Sequence, residues 1–231
     1  MTSPPTSNTY NFAPGIGELG LNALSRIQIR PPAITNDHMI AMRLEGNFLQ
    51  AEWSNKGVTL WTVDQQTQAL TQGTATYNVP ANTIMILDAY ISTGSPATNR
   101  YITPFSRTDF ASLGNPTSQG FPTTFWFDRL IAPSLTLWPV PDGGGPYTLN
   151  YYRYRQIQDA EYVGGLNAEI PYTFLDAWSA GLAHRLSRHY APSLEQIRKA
   201  DAMEAFAIAS AQNVENVPVY IQPMISNYYR P

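Results

Sequence analysis

Apolar positions recur at helical spacing at Ile16, Leu19, Ala23 and Ile27, and Pro31–Pro32 then ends the pattern. A second helical pattern follows. Thr35 suits its N-cap, and Asp37 sits in the first turn, where the helix dipole favours an anion. Ile40, Leu44, Phe48 and Ala51 share one face and are expected to be the buried stripe, with Gly57 at the C′ position. Two helices joined by a Pro-containing turn make an αα-hairpin. Ahead of it, residues 1–14 carry three prolines and no periodicity, and read as a flexible arm.

From Val58 to about residue 155 the period becomes two. Ala75, Tyr77 and Val79 alternate with polar neighbours, and so do Phe125 and Phe127, Leu135 and Leu137, and Tyr147, Leu149 and Tyr151. Ile84 to Ile91 is almost continuously apolar, as expected of a strand buried on both faces. Asp142-Gly143-Gly144-Gly145 marks a turn, and a short helix is expected over Arg107–Leu113. Six or seven short strands in roughly 100 residues suggest a β-sandwich or small barrel.

Helical spacing returns near residue 170. Thr173 and Asp176 fit a T-x-x-D capping box ahead of Leu175, Trp178, Leu182 and Leu186. After Pro192, Ser193 and Gln196 fit an S-x-x-Q box before an alanine-rich helix running to Ala211. Ala177, Ala180 and Gly181 make a small face that admits a close neighbouring helix. The tail, 217–231, with three Pro and three Tyr, is expected to be extended.

The expected fold class is therefore α+β: an antiparallel four-helix bundle (15–57 and 170–213) with an inserted β-sandwich or barrel-like domain (58–169). Terminal arms, 1–14 and 217–231, flank it. No internal repeat is visible.

Charge alters how the surface is read. Hydrophobic residues make up 43% of the 231, enough for a core, but only 13% are charged, about half the usual share. Arg outnumbers Lys 12 to 2, and Tyr plus Trp total 19. Lys depletion with Arg, Tyr and Trp enrichment is the composition of protein–protein interfaces. So little charge suits a chain that buries much of its surface in an assembly. A GC-rich genome would explain the Arg excess equally well, though not the shortage of charge. No segment is basic. Residues 1–60 hold 4 basic and 4 acidic side chains, 61–166 hold 5 and 7, and 167–231 hold 5 and 6. Grip on nucleic acid by phosphate neutralisation is not expected. The absence of Cys excludes disulfide scaffolds, zinc ribbons and thiol catalysis. Nothing resembles a signal peptide or a membrane span, so a soluble protein kept or assembled in a reducing compartment is expected.

Candidate chemistry is thin. His184 and His189 are five apart on one helix, where a helical zinc motif needs i, i+4. His38 reads as a surface residue beside a helix start. Gly15 and Gly17 lack the strand and third glycine of a nucleotide loop, and Gly143–Gly145 lacks P-loop partners. Asp88, Asp109 and Asp128 could pair as acid and base, but nothing local singles them out. Arg153 and Arg155 alternate with Tyr152 and Tyr154, which reads as an edge strand with its arginines solvating or pairing across an interface. No enzyme, metal or cofactor is expected.

One succession is more specific. Gly120-Phe-Pro-Thr-Thr-Phe-Trp-Phe127 precedes Leu135-Thr-Leu-Trp-Pro-Val-Pro-Asp142, the glycine turn, and Tyr147-Thr-Leu-Asn-Tyr-Tyr-Arg-Tyr154. The helix entry Ile170-Pro-Tyr-Thr-Phe-Leu-Asp176 follows, and Glu52-Trp53 leads into Val58 and Trp61 at the start. Over residues 15–213 this order resembles head-to-tail adaptor proteins of short-tailed bacteriophages, the tail tubular protein A type. The resemblance implies a virion protein of the phage neck, assembled in the host cytoplasm. It implies a dodecameric homo-oligomeric ring beneath the portal protein, extending the DNA channel without sequence-specific binding and offering a platform to the tail nozzle and fibres. A membrane partner is not implied. In the tail, Tyr220, Tyr228, Tyr229 and Arg230 are the expected anchors on the portal or a neighbouring subunit. The alternative function is a carbohydrate- or receptor-binding β-sandwich, with Trp126, Trp138 and the tyrosines as sugar platforms.

Overall fold

The computed structural model describes residues 7–10, 12–57, 60–161, 166–211 and 213. Both opening helices form where their spacing places them, as α1 (Ile16–Arg26) and α2 (Asn36–Lys56). Thr35 is the N-cap of α2, and its backbone N–H donates to His38 Nδ1 at 3.0 Å. His38 is thus a capping partner, its ring 4.5 Å from that of Tyr190. Gly57 ends the helix at φ 70°, a left-handed conformation that glycine adopts without strain.

The expected stripe of α2 is on the wrong side. Met42, Leu49 and Trp53 are buried, whereas Ile40, Leu44 and Phe48 are exposed. Both sets recur with helical spacing, and the set carrying Trp53 and Met42 took the core.

The β region opens with a 3₁₀ turn at Leu60–Thr62. Its strands are β1 (Val63–Ala69), β2 (Thr76–Asn78), β3 (Thr83–Thr93), β4 (Thr98–Pro104), β5 (Gln119–Gly120), β6 (Thr124–Asp128), β7 (Ser134–Trp138), β8 (Val140–Pro141) and β9 (Tyr147–Arg155). The expected short helix is α3 (Arg107–Ala111), its Ser106 cap accepting from the Asp109 N–H at 3.1 Å. One curled seven-stranded sheet runs β1-β9-β3-β4-β6-β7-β2, and β5 and β8 form a second, two-stranded sheet. The α+β class holds. The connection through α3 brings β6 back parallel to β4, while the other pairs of the large sheet are antiparallel.

Two sequence expectations for the sheet fail. β9 lies between β1 and β3, not at an edge, and Arg153 is buried there. β3 has one covered face only, since Ile86, Ala89 and Ile91 are buried while Met85 and Leu87 are exposed. Bulges at Thr83/Met85 and Ile86/Asp88 break its alternation.

The last two helices are α4 (Leu175–Tyr190) and α5 (Glu195–Ser210). Neither expected capping box forms. 3₁₀ turns at Tyr172–Phe174 and Pro192–Leu194 lead into the helices, whose N-caps, Phe174 and Leu194, have no side-chain acceptor. Asp176 instead pairs with Arg26 of α1.

α4 is the centre of the helical layer. Ser179 Oγ donates to Leu19 O and Asn22 Oδ1 of α1, at 3.2 and 2.8 Å. On α2, Leu49 lies so close to Gly181 that a Cβ there would sit 2.9 Å from Leu49 Cδ2. The small face expected on this helix is therefore what lets α2 in. At about 3.6 residues per turn, positions 176 and 179 point roughly opposite to 181 and 185, so α1 and α2 flank α4 on opposite sides. Side chains from α1, α2, α4 and α5 share one apolar cluster around Trp53, Trp178 and Leu182. A second cluster, with Ile91, Ile102, Leu135 and Leu149, fills the concave side of the sheet. Trp61, in the turn that opens the β region, packs on the helical cluster, its ring 4.9 Å from that of Phe174 and its Nε1 donating to Glu169 O at 3.0 Å.

Candidate interaction surfaces

The exposed face of α2 is the first candidate. Ile40, Leu44 and Phe48 are 55%, 52% and 51% exposed, and Ala51 continues their line. Single exposed apolar residues are ordinary. A row of three large ones along a single helix face makes a candidate docking surface.

This face runs on into a furrow across the outer side of the sheet. A hollow of about 320 Å³ is bordered by Ala51, Asn55 and Ile84. The next, about 350 Å³, shares Asn55 and Ile84 and adds Leu60, Met85 and Leu87. A third, about 430 Å³, shares Leu60 and Leu87 and ends at Tyr152. Asp88 is the acid in its wall.

The opposite flank, along α1, is also apolar. Leu21 points away from α4 and is 42% exposed. Phe12, 69% exposed, lies edge-on to Tyr172 at 6.1 Å, and Tyr10 beside it is almost wholly exposed.

Charged groups in the fold are mostly tied down. Asp64 on edge strand β1 accepts from Arg153 Nε and Nη2 at 2.7 and 3.0 Å. Arg153 also donates to Asn82 Oδ1 and Thr83 Oγ1, both at 2.8 Å. These hydrogen bonds hold the Asp64 carboxyl below the usual carboxylate range. Arg155 pairs with Glu169, tying the end of β9 to the segment before α4. Burial would raise the Glu169 pKa, but Arg155 and the Gln158 N–H outweigh it and the net shift is downward. Both arginines thus staple the sheet from within the chain.

Between α2, α4 and α5 lies a cleft of about 400 Å³, floored by Trp53 and Phe206 and rimmed by Arg185, Arg188 and Lys199. Arg185 is already engaged by Glu45 and Glu52. His184 in this rim is pushed down by burial and then by Arg188, which disfavours its charged form.

The structure does not bring the candidate acids together into a reactive pair. Asp109 caps α3, Asp128 ends β6 and Asp88 faces the Tyr101 hydroxyl at 3.5 Å. His189 meets Glu45 at 3.2 Å. Among the described residues, no three His, Asp or Glu side chains are grouped to hold a metal ion, and no helix is long and apolar enough to cross a membrane. In the glycine turn, Tyr147 Oη and the Gly144 N–H donate to Asp142 Oδ1 at 2.7 and 2.9 Å, which is a structural arrangement. The two tryptophans offered as sugar platforms are engaged within the chain. Trp126 stacks on Phe110 at 5.3 Å, and Trp138 Nε1 donates to Asn115 O at 3.0 Å. Tyr220, Tyr228, Tyr229 and Arg230, with the whole arm 217–231, lie outside the described residues. Sequence reasoning missed the α2 face and the furrow as surfaces. The signal was present in α2, whose apolar positions outnumber what one buried stripe accommodates.

No curated protein matches the chain. A family model described as SU10 adaptor protein matches residues 24–222, from within α1 through α5 and beyond. That span holds the α2 face and the furrow but not Phe12 and Leu21 of the α1 flank. It agrees with the resemblance to head-to-tail adaptors drawn from the strand and helix order. The chain belongs to the SU10 adaptor protein family, a family of phage structural adaptors.

Proposed function

We propose that this protein is the ring-forming head-to-tail adaptor of a phage neck. It docks beneath the portal protein, continues the DNA channel and carries the tail nozzle, with fibres attaching to the same platform. In this reading residues 15–57 and 170–213 act as one bundle, and 58–169 as the β domain inserted between its halves. The arm 217–231 reaches a neighbour through Tyr220, Tyr228, Tyr229 and Arg230.

The observation that carries the reading is an adaptor-family chain with few charges and large apolar side chains exposed along a flank. Such a surface is stable in water only at low concentration and is satisfied by burial in an assembly. The absence of a basic segment suits a channel through which DNA must slide, because strong phosphate contacts would hold it back.

Complementation tests this. Particles made without the protein are expected to package DNA yet lack tails. Added purified protein restores tailed, infectious particles. Tailed particles forming equally well without it would refute the role.

A further inference from the structure

We infer that the α2 face of one copy is covered by the α1 flank of the next copy, in a head-to-tail contact repeated around the assembly. The inference rests on the ring-forming reading and assigns the surfaces that close the ring.

Four observations carry it. First, a cyclic head-to-tail assembly needs two different surfaces on each subunit, because each copy donates one and receives on the other. The chain has an apolar flank on each of two opposite sides of α4, one along α2 and one along α1. A two-fold dimer needs only one self-complementary patch and gives no reason for the second.

Second, the area is right. Ile40, Leu44, Phe48, Leu60, Met85 and Leu87 are each between 36% and 55% exposed. At roughly 80–100 Å² of exposed surface apiece, they offer on the order of 500 Å² of apolar area. A standard interface buries about 800 Å² per partner, a little over half of it apolar. The α2 face and the furrow together therefore supply the apolar share of a standard interface.

Third, the shapes differ in the required sense. The α2 side is concave where it runs into the furrow. The α1 side projects, with Phe12 and Tyr172 packed edge-to-face and standing out at 69% and 73% exposure. Exposed aromatic side chains are the usual anchors that fill such hollows.

Fourth, each side carries an exposed charge opposite in sign to one on the other. Arg43, beside the α2 stripe, is largely exposed and meets Glu161 only at 4.0 Å. On α1, Glu18 is occupied only by the exposed Gly15 N–H, among the described residues. An acid on one flank thus answers a base on the other, which fixes register more than it adds affinity.

The absence of Cys makes a thiol-free test straightforward, and photo-crosslinking from single positions in assembled particles is the direct one. Benzoylphenylalanine replaces Leu44 in one preparation and Leu21 in another, with Ile131, at the exposed β6–β7 turn, as the control. Irradiation is expected to give an adduct of about twice the 25.7 kDa chain from the first two. Peptide mapping should join residue 44 to the segment 7–26 of another copy, and residue 21 to α2. The Ile131 position should not join either segment.

Leu44→Glu and Phe48→Glu should each weaken self-association by at least about thirtyfold, as a hot-spot loss does, with unchanged circular dichroism. Links from residue 44 only to another virion protein, or from 44 to 44, would overturn the inference and leave the adaptor reading standing. Particles in which the chain is absent or present as a single copy would instead overturn the ring reading, and this inference with it.

Discussion

Replacing Asp64 by Ala should loosen the sheet at its edge. Asp64 is the carboxylate partner of a guanidinium that is only 6% exposed, and the two lie on adjacent strands, β1 and β9. Without it, Arg153 keeps Asn82 and Thr83 but loses both charge-assisted bonds. Breaking a buried pair by removing one member costs about 3–5 kcal/mol. The Asp64 side chain is 35% exposed, so water screens part of this and the expected cost falls to about 2–3 kcal/mol. For a chain of this length that is a fall in Tm of about 5–10 °C, read by far-ultraviolet circular dichroism. Arg153→Met removes the buried charge itself. The double variant should therefore lose less than the sum of the singles by at least about 1 kcal/mol, a cycle that isolates the pair. A Tm change below about 2 °C for Asp64→Ala, or strictly additive losses, would refute the role given to this pair.

Further outcomes are expected. Asp64, Glu169 and Glu52 all have folded-state pKa values below their ordinary ones, Glu52 because Lys56 and Arg185 outweigh its burial. Between the folded and unfolded values the unfolded chain binds more protons. Stability from these groups is thus fully present above about pH 5 and lost progressively as pH falls below about 4; urea midpoints that stay level down to pH 3 would contradict this. His184 adds a shallower loss below about pH 6.5, because its depressed pKa disfavours the charged form in the folded state. Gly181→Val should cost about 1–3 kcal/mol in urea unfolding, since its side chain must displace Leu49. Truncation after Asn216 should leave thermal unfolding within about 2 °C of the full chain while reducing capture by portal rings on a sizing column. Undiminished capture would remove the arm from assembly.

Much of this fold is legible in the residues. The helix start at Thr35, the short helix beginning at Arg107, the stop at Gly57 and the close approach at Gly181 all follow from local rules, and the structure contains each. What was not legible shares one physical cause. Periodicity identifies an apolar face but does not say what covers it. On α2 two apolar sets compete, and the one that carries Trp53, the largest side chain of either, faces inward. On β3 the apolar run has the pattern of a strand buried on both faces, yet Met85 and Leu87 leave one face exposed. Arg153 has the sequence of an edge residue, and only the pairing of β9 with both β1 and β3 reveals that it is a buried staple. The misreadings of α2 and β3 mark the candidate surfaces, because a side chain kept apolar without a partner in its own chain is what docking requires.

Reconstruction of the intact particle neck tests the central claim most directly. The account predicts a closed ring of copies of this fold between portal and tail, with DNA passing through its lumen and each α2 against its neighbour's α1 flank. Density showing the chain elsewhere in the particle, or in the neck without contact between copies, would contradict it.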